Sequence, residues 1–267
     1  QNADEKREML LGPDPALSAH AERGLCRGGR SAVSIFAIKK QQERDGMGRA
    51  LVIGASGGIG RALVAELSGR GFEVVGVSRS VDGLDVTDPA SVARHMDGLS
   101  GPFELIVIAV GILAPVGSAP EKSLGAITAG AMAEVMAVNA IGPALILGQA
   151  ARLLAKDARG VVAVLSARVG SIGDNKIGGW HSYRASKAAL NQIVHGAAIE
   201  LGRTHKQSVV VALHPGTVET PFTADYAARH ATVAASKAAT NLLSVIDTLT
   251  PLDTGRFLDY AGQPIPW

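Results

Sequence analysis

Three runs of five consecutive apolar residues constrain the fold more than any other feature: Leu105 to Ala109, Val161 to Leu165 and Val209 to Leu213. A strand with one wet face alternates polar and apolar residues. These runs do not alternate, and they are rich in β-branched residues, so each is expected to be a strand buried on both faces. Ala50 to Ile53 and Glu73 to Val77 read as two earlier strands, and Arg256 to Leu258 as a short last one. Helical stretches lie between them: Gly58 to Ser68, Ala131 to Leu154, His181 to Leu201 and Val233 to Thr248. Strands and helices in alternation imply an α/β chain with a parallel sheet and helices on both faces.

There is no internal repeat and no linker between Met47 and Trp267, so residues 47–267 are expected to form a single domain. Residues 1–46 read differently, with Pro13, Pro15, Gly28-Gly29 and scattered charges of both signs. They are expected to be disordered or a non-native N-terminal extension. Across the chain 47% of residues are hydrophobic and 19% charged, which is enough apolar material for a large core. A net charge of +2 exerts no strong pull toward nucleic acid or an anionic membrane, and neither is expected as a partner. Leu105 to Ala114 is taken as the longest apolar stretch, and it is too short to span a bilayer. Cys26 is the lone cysteine, so no intrachain disulfide can form, and a cytoplasmic location is expected.

Gly54-Ala55-Ser56-Gly57-Gly58-Ile59-Gly60 falls between the first strand and the first helix. Gly54 suits a tight turn after a strand. Gly58 leaves room for a pyrophosphate against the backbone. Gly60 lets the helix pack close to the sheet. Ser56 and Ile59 complete the loop, and the N–H groups and positive dipole end of the helix would face the phosphates. In this context the loop is expected to bind a dinucleotide.

The spacing G-x-x-x-G-x-G resembles that of the short-chain dehydrogenase/reductase family, with Ile53 in place of the family's threonine. The resemblance implies a Rossmann-type doubly wound parallel sheet in three α/β/α layers, with a nicotinamide dinucleotide as cofactor. The second strand ends Val77-Ser78-Arg79-Ser80, with no acid to accept the ribose 2′-OH and repel a 2′-phosphate. Arg79 and Ser78 are candidates to hold a 2′-phosphate, so NADP(H) is favoured and NAD(H) stays open. By resemblance, Asp85 and Val86 stand where the family contacts adenine; capping of the turn before Asp88-Pro89 is the other role for Asp85. Ala109, Val110 and Gly111 stand where many members carry N-N-A-G, without the asparagines. Pro215, Gly216, Thr217 and Val218 match the family element that approaches the nicotinamide.

Tyr183 and Lys187 are one helical turn apart and share a face. A nearby ammonium favours a phenolate, so Lys187 is expected to lower the pKa of Tyr183 and also to hold the ribose hydroxyls. Ser166 ends the strand Val161 to Leu165, where ligands of parallel sheets bind, and its hydroxyl can orient a substrate oxygen. Ser171 and Ser182 are rivals away from the strand end. By resemblance, Asn139 is the family's helix asparagine, which holds a water in a proton relay through the lysine.

The match runs from Met47 to Trp267. Pro120-Glu121-Lys122-Ser123-Leu124, the stretch Trp180 to Lys187 and the ending Phe257 to Trp267 resemble the bacterial C-factor-like branch of the family. The resemblance implies hydride transfer between nicotinamide and a small-molecule carbonyl or alcohol substrate. Two alternatives stand beside it: a nucleotide-binding signalling protein that needs no turnover, and a 3-oxoacyl-carrier-protein reductase, for which Arg229 alone offers a carrier-docking charge. Pro221 to Thr232, with Phe222 and Tyr226, is the expected substrate lid. The aliphatic helices Ala131 to Leu154 and His181 to Leu201 are expected to build a homodimer or homotetramer.

Overall fold

The structure is a computed structural model, and it describes residues 48–220 and 232–267. The expectations for residues 1–46, for Met47 and for most of the lid, Phe222 and Tyr226 included, lie outside the described residues. Six strands form one parallel sheet in the order β2-β1-β3-β4-β5-β8. They are β1 Arg49–Ile53, β2 Glu73–Val77, β3 Leu105–Ile108, β4 Gly160–Leu165, β5 Ser208–His214 and β8 Phe257–Asp259. Two short strands, β6 Val218–Glu219 and β7 Val233–Ala234, pair separately. The helices are α1 Gly58–Gly69, α2 Arg79–Asp82, α3 Pro89–Asp97, α4 Ala129–Met136, α5 Gly142–Leu153, α6 His181–Thr204 and α7 Ala235–Thr248.

Leu105 to Ile108, Val161 to Leu165 and Val209 to Leu213 lie in β3, β4 and β5 with side chains at most 7% exposed, whereas Ala109, at the end of the first run, lies past β3 and is only partly buried. Successive residues feed opposite faces, because side chains alternate along a strand. Leu51, Ile53, Ile106, Ile108, Val162 and Val164 pack with Ile146 and Leu147 of α5 and Leu190 and Val194 of α6. Ala50, Val52, Leu105, Val107, Val161 and Ala163 pack on the other side with Leu63 and Leu67 of α1 and Leu242 and Leu243 of α7. Each fully buried Val, Leu or Ile side chain stabilises the fold by about 1.5–3 kcal/mol before entropy costs.

The order of strands reverses at β1, which pairs with β2 on one side and β3 on the other. That reversal opens a crevice beyond the carboxyl ends of β1 and β3. The cradle loop leaves β1 there, Ser166 leaves β4 on the same edge, and His214 ends β5 beside it.

The structure corrects the sequence reading at three points. The helix expected from Val233 starts two residues later, because Val233 pairs with Val218 and donates its N–H to Thr217. The helix expected over Ala131 to Leu154 begins earlier, at the Thr128 cap, and is interrupted by a π-helical turn at Ala137–Ile141. The continuous helical span Ala129–Leu153 is also long and apolar enough to cross a membrane by length and composition, which Leu105 to Ala114 is not. Here Val135, Ile146, Leu147, Ala150 and Leu153 of that span are buried.

Candidate active site

The cradle is built by backbone. Gly54 has φ +91°, a region only glycine enters at little cost, and a Cβ there would lie 2.6 Å from the Ala109 carbonyl oxygen. Gly54 and Ala55 donate their N–H groups to the Val77 carbonyl at 2.8 and 3.2 Å, which ties the loop to β2. A Cβ on Gly60 would overlap the Gly54 carbonyl, so α1 starts in backbone contact with the strand end. The expected pyrophosphate clearance at Gly58 has a protein counterpart, since a Cβ there would meet the side chain of Thr220. Gly57 caps α1 without a side chain, and the first turn holds no acid. No side chain caps the first N–H groups of α1 and no acid in its first turn would repel an anion, so this helix end suits an anion.

Ser56, Gly58, Ile59 and Gly60 line a cavity of about 880 Å³. The same cavity is lined by Ala109, Val110, Gly111, Ser166, Tyr183, Lys187, Pro215, Gly216 and Val218. Most of the expected site is thus gathered round one space, and the uncapped helix end and glycine cradle fit a dinucleotide. Sequence reasoning passed over Arg61, which lines this cavity and donates to the Ser56 carbonyl at 3.0 Å. Its place directly after Gly60 was the available signal.

The end of β2 departs from expectation. Ser78 caps α2 by accepting from the Val81 N–H, and its own N–H and hydroxyl both donate to the Asp82 carboxylate, at 2.7 and 3.2 Å. Ser78 is therefore engaged by its own helix. Ser78, Asp82 and Arg61 line a small side pocket with Ser56, while Arg79 is exposed at the start of α2. Asp85 is exposed and accepts from both the N–H and the hydroxyl of Thr87, at 2.9 and 2.7 Å, which holds its carboxyl below the usual range. That is the turn-capping alternative. Asp85 does not line the cavity; Val86 is buried, where a Cβ on Gly142 would strike it.

Asn139 is fully buried in the π turn. Its Oδ1 accepts from the Ile112 N–H at 2.7 Å, and its Nδ2 donates to the Ile112 carbonyl at 2.8 Å and to Ser186 Oγ at 3.0 Å. The side chain thus stands in for a neighbouring strand, extending β3's hydrogen bonding past Ile108. Gly111 lies in this loop, and a Cβ there would come within 3.3 Å of Asn139 Oδ1 and 3.5 Å of Lys187 Nζ.

Tyr183 and Lys187 are buried on one face of α6. Lys187 Nζ donates to the Leu165 carbonyl at 3.0 Å and lies 6.0 Å from the Tyr183 ring centre. The expected lowering of the Tyr183 pKa is not what the protein's own groups produce. Burial pushes the phenol well above its ordinary value, and burial pulls Lys187 down from 10.5 to about 8. Ser166 sits at the end of β4 as expected, with Oγ donating to Asn191 Oδ1 at 2.6 Å. Asn191 is a second residue that sequence reasoning missed; it lies one turn beyond Lys187, and that spacing was its only signal. The rivals are otherwise occupied: Ser171 Oγ accepts from the Asp174 N–H, and Ser182 donates through its N–H and hydroxyl to Glu121. Burial alone would raise the Glu121 pKa, but those donors and His181 outweigh it and hold the carboxyl low.

A family model described as short chain dehydrogenase matches residues 49–231. The chain belongs to the short-chain dehydrogenase family. It is accordingly an oxidoreductase that works with a nicotinamide dinucleotide, as its cradle implies. It is similar to 1-hydroxy-2-glutathionyl-2-methyl-3-butene dehydrogenase of Rhodococcus sp. (strain AD45), 31% identical over 83% of this chain and 100% of that one. It is also similar to the C-signal protein of Myxococcus xanthus, 34% identical over 63% of this chain and 95% of that one. Among solved structures, a carbonyl reductase from Pseudomonas aeruginosa PAO1 in complex with NADP matches with a TM-score of 0.69 at 26% identity, covering 83% of this chain and 100% of that one.

Proposed function

We propose that this short-chain dehydrogenase is an NADP(H)-preferring carbonyl reductase, able to run in reverse as an alcohol dehydrogenase. The observation that carries the reading is the convergence of Ser166, Tyr183 and Lys187 on the cavity that also meets the glycine cradle. When bound, the reduced nicotinamide supplies the hydride for a carbonyl carbon. The chain supplies everything else. Burial keeps the Tyr183 phenol protonated at neutral pH, so its Oη has a proton to donate to the carbonyl oxygen. Lys187, with a pKa of about 8, is mostly charged at pH 7 and favours the phenolate as that proton leaves. Ser166 Oγ turns its proton from Asn191 Oδ1 to the carbonyl oxygen and so orients it, and Lys187 returns a proton to Tyr183. Asn139 fixes the Ile112 backbone at the cavity edge and so acts here as a positioning residue.

Arg79 and Arg61 support the preference for NADP(H), as does the NADP complex of the Pseudomonas relative. The carboxylate of Asp82 opposes it only weakly, because two donors of Ser78 already engage it. A panel of ketones and aldehydes assayed with NADPH and NADH tests the reading, with Tyr183→Phe expected to lose about 100-fold or more in kcat. Full activity in that variant would overturn it. A biological effect that survived the loss of turnover would instead favour the signalling alternative. We also propose a homodimer or homotetramer; Ile141 and Ile199, about half exposed on the helices expected at the interface, support it. Sedimentation as a monomer would refute it.

A further inference from the structure

The cavity changes character away from the cradle. Besides the cradle and the Ser166, Tyr183 and Lys187 side chains, it is lined by three cationic residues, Arg168, Lys176 and Arg184. Arg168 is neutralised by two carboxylates, Asp174 at 2.9 Å and Asp259 at 3.2 Å. The other two cations are not. The half-buried Arg184 gives its hydrogen bonds to neutral acceptors, the carbonyls of Gly179 at 2.9 Å and Val169 at 3.4 Å. Among the described residues it has no carboxylate partner, and burial lowers its pKa. Lys176 is exposed at the rim and has no ion pair among the described residues. The charged groups here are therefore Arg184 and Lys176, without carboxylate partners among the described residues, and Arg168 with both Asp174 and Asp259; His214, which burial holds at about 4, is neutral at pH 7.

A desolvated cation without a counter-ion costs free energy that a ligand anion would recover. The apolar side chains of Leu113, Val169 and Trp180 line the same cavity as these charges and the reacting groups. We propose that the substrate of this enzyme is a carbonyl or alcohol compound with an apolar body and a carboxylate or similar anionic group, which Arg184 and Lys176 bind at the outer end of the cavity. The inference rests on the reductase reading above, and it adds a substrate class to it.

The test compares 4-carboxybenzaldehyde with methyl 4-formylbenzoate, which share the ring and the aldehyde and differ in charge. With NADPH, the acid is expected to exceed the ester in kcat/KM by about tenfold or more, as a charge-assisted hydrogen bond implies. Arg184→Met and Lys176→Met should each reduce that acid-to-ester ratio, and Arg184→Lys should restore part of it. Because Arg184 also braces the loop carbonyls, Lys176→Met is the variant that reads the charge without that complication. Calorimetry with 4-(hydroxymethyl)benzoate and its methyl ester supplies a readout independent of turnover, with tighter binding of the acid expected. A ratio near one in the wild type, or a ratio unmoved by both Met variants, would overturn the proposal. If neither aldehyde is reduced with NADPH or NADH, the reductase reading fails by itself. Calorimetry still decides the anion site in that case, and equal binding of acid and ester overturns it.

Discussion

Replacing Asn139 by alanine should weaken the fold and the dinucleotide site together. The side chain is fully buried and makes three hydrogen bonds, two of them to the N–H and carbonyl of Ile112. Ser186 keeps its bond to the Tyr183 carbonyl at 2.8 Å, so its hydroxyl is not stranded. The two Ile112 groups are only part-buried, which puts each at the low end, about 1 kcal/mol, of the cost of losing a partner. Removing the carboxamide leaves a void worth about 1 kcal/mol more. The expected loss is about 2–4 kcal/mol, or roughly 5–12 °C in Tm for a domain of this size. Urea unfolding measures it, and titration with NADPH should show binding weakened by several-fold, because Ile112 directly follows the cavity-lining Gly111. Asn139→Asp sharpens the comparison. It keeps the acceptor for the Ile112 N–H but sets an oxygen against the Ile112 carbonyl, so at pH 7 it should cost more than alanine. A loss below 1 kcal/mol in the alanine variant would show that the Ile112 backbone does not depend on this side chain.

Lys187 makes stability depend on alkaline pH. Its folded pKa of about 8 lies below the ordinary 10.5, so the folded state carries the full penalty below pH 8 and sheds it between 8 and 10.5, a rise of about 3 kcal/mol. Lys187→Met should lack that rise when both proteins are unfolded in urea at pH 7 and pH 9.5. His214 works at the other end: its folded pKa of about 4 lies below 6.5, so stability is lost as pH falls from 6.5 toward 4, and His214→Phe should flatten that decline in thermal melts. Asn191→Leu removes the acceptor of Ser166 and should lower kcat by about tenfold with little change in NADPH affinity, as a positioning role requires. Arg79→Gln should weaken NADPH more than NADH by about tenfold in titrations, and equal losses would remove Arg79 from 2′-phosphate recognition.

The sheet was legible because its signal is local. A run such as Val209 to Leu213 carries its burial on both faces in its own composition. The cradle was legible for a related reason, since Gly54 to Gly60 must satisfy a backbone geometry within seven consecutive residues. What escaped the sequence depends on contacts between distant segments. Nothing near Asn139 announces that its partner is the backbone of Ile112, 27 residues earlier. The pairing of Ser166 with Asn191 spans 25 residues and was equally hidden. The pKa of Tyr183 was misjudged because spacing reveals a neighbouring charge but not the depth of burial, and here burial is the larger effect. The engagement of Ser78 was hidden as well, because Asp82, one turn later, takes up the donors that a phosphate would use.

The sheet also separates two kinds of work. The dinucleotide cradle belongs to α1, whose Leu63 and Leu67 pack on one face of the strands. Tyr183, Lys187 and Asn191 belong to α6, whose Leu190 and Val194 pack on the other. No side chain in one of these cores belongs to the other, and the two layers meet at the ends of the strands. Repacking around Leu242 and Leu243 could therefore tune how α1 sits without disturbing the packing of Leu190 and Val194 beneath α6. A chain divided this way can alter how it holds its dinucleotide while leaving the face that carries Tyr183 and Lys187 in place.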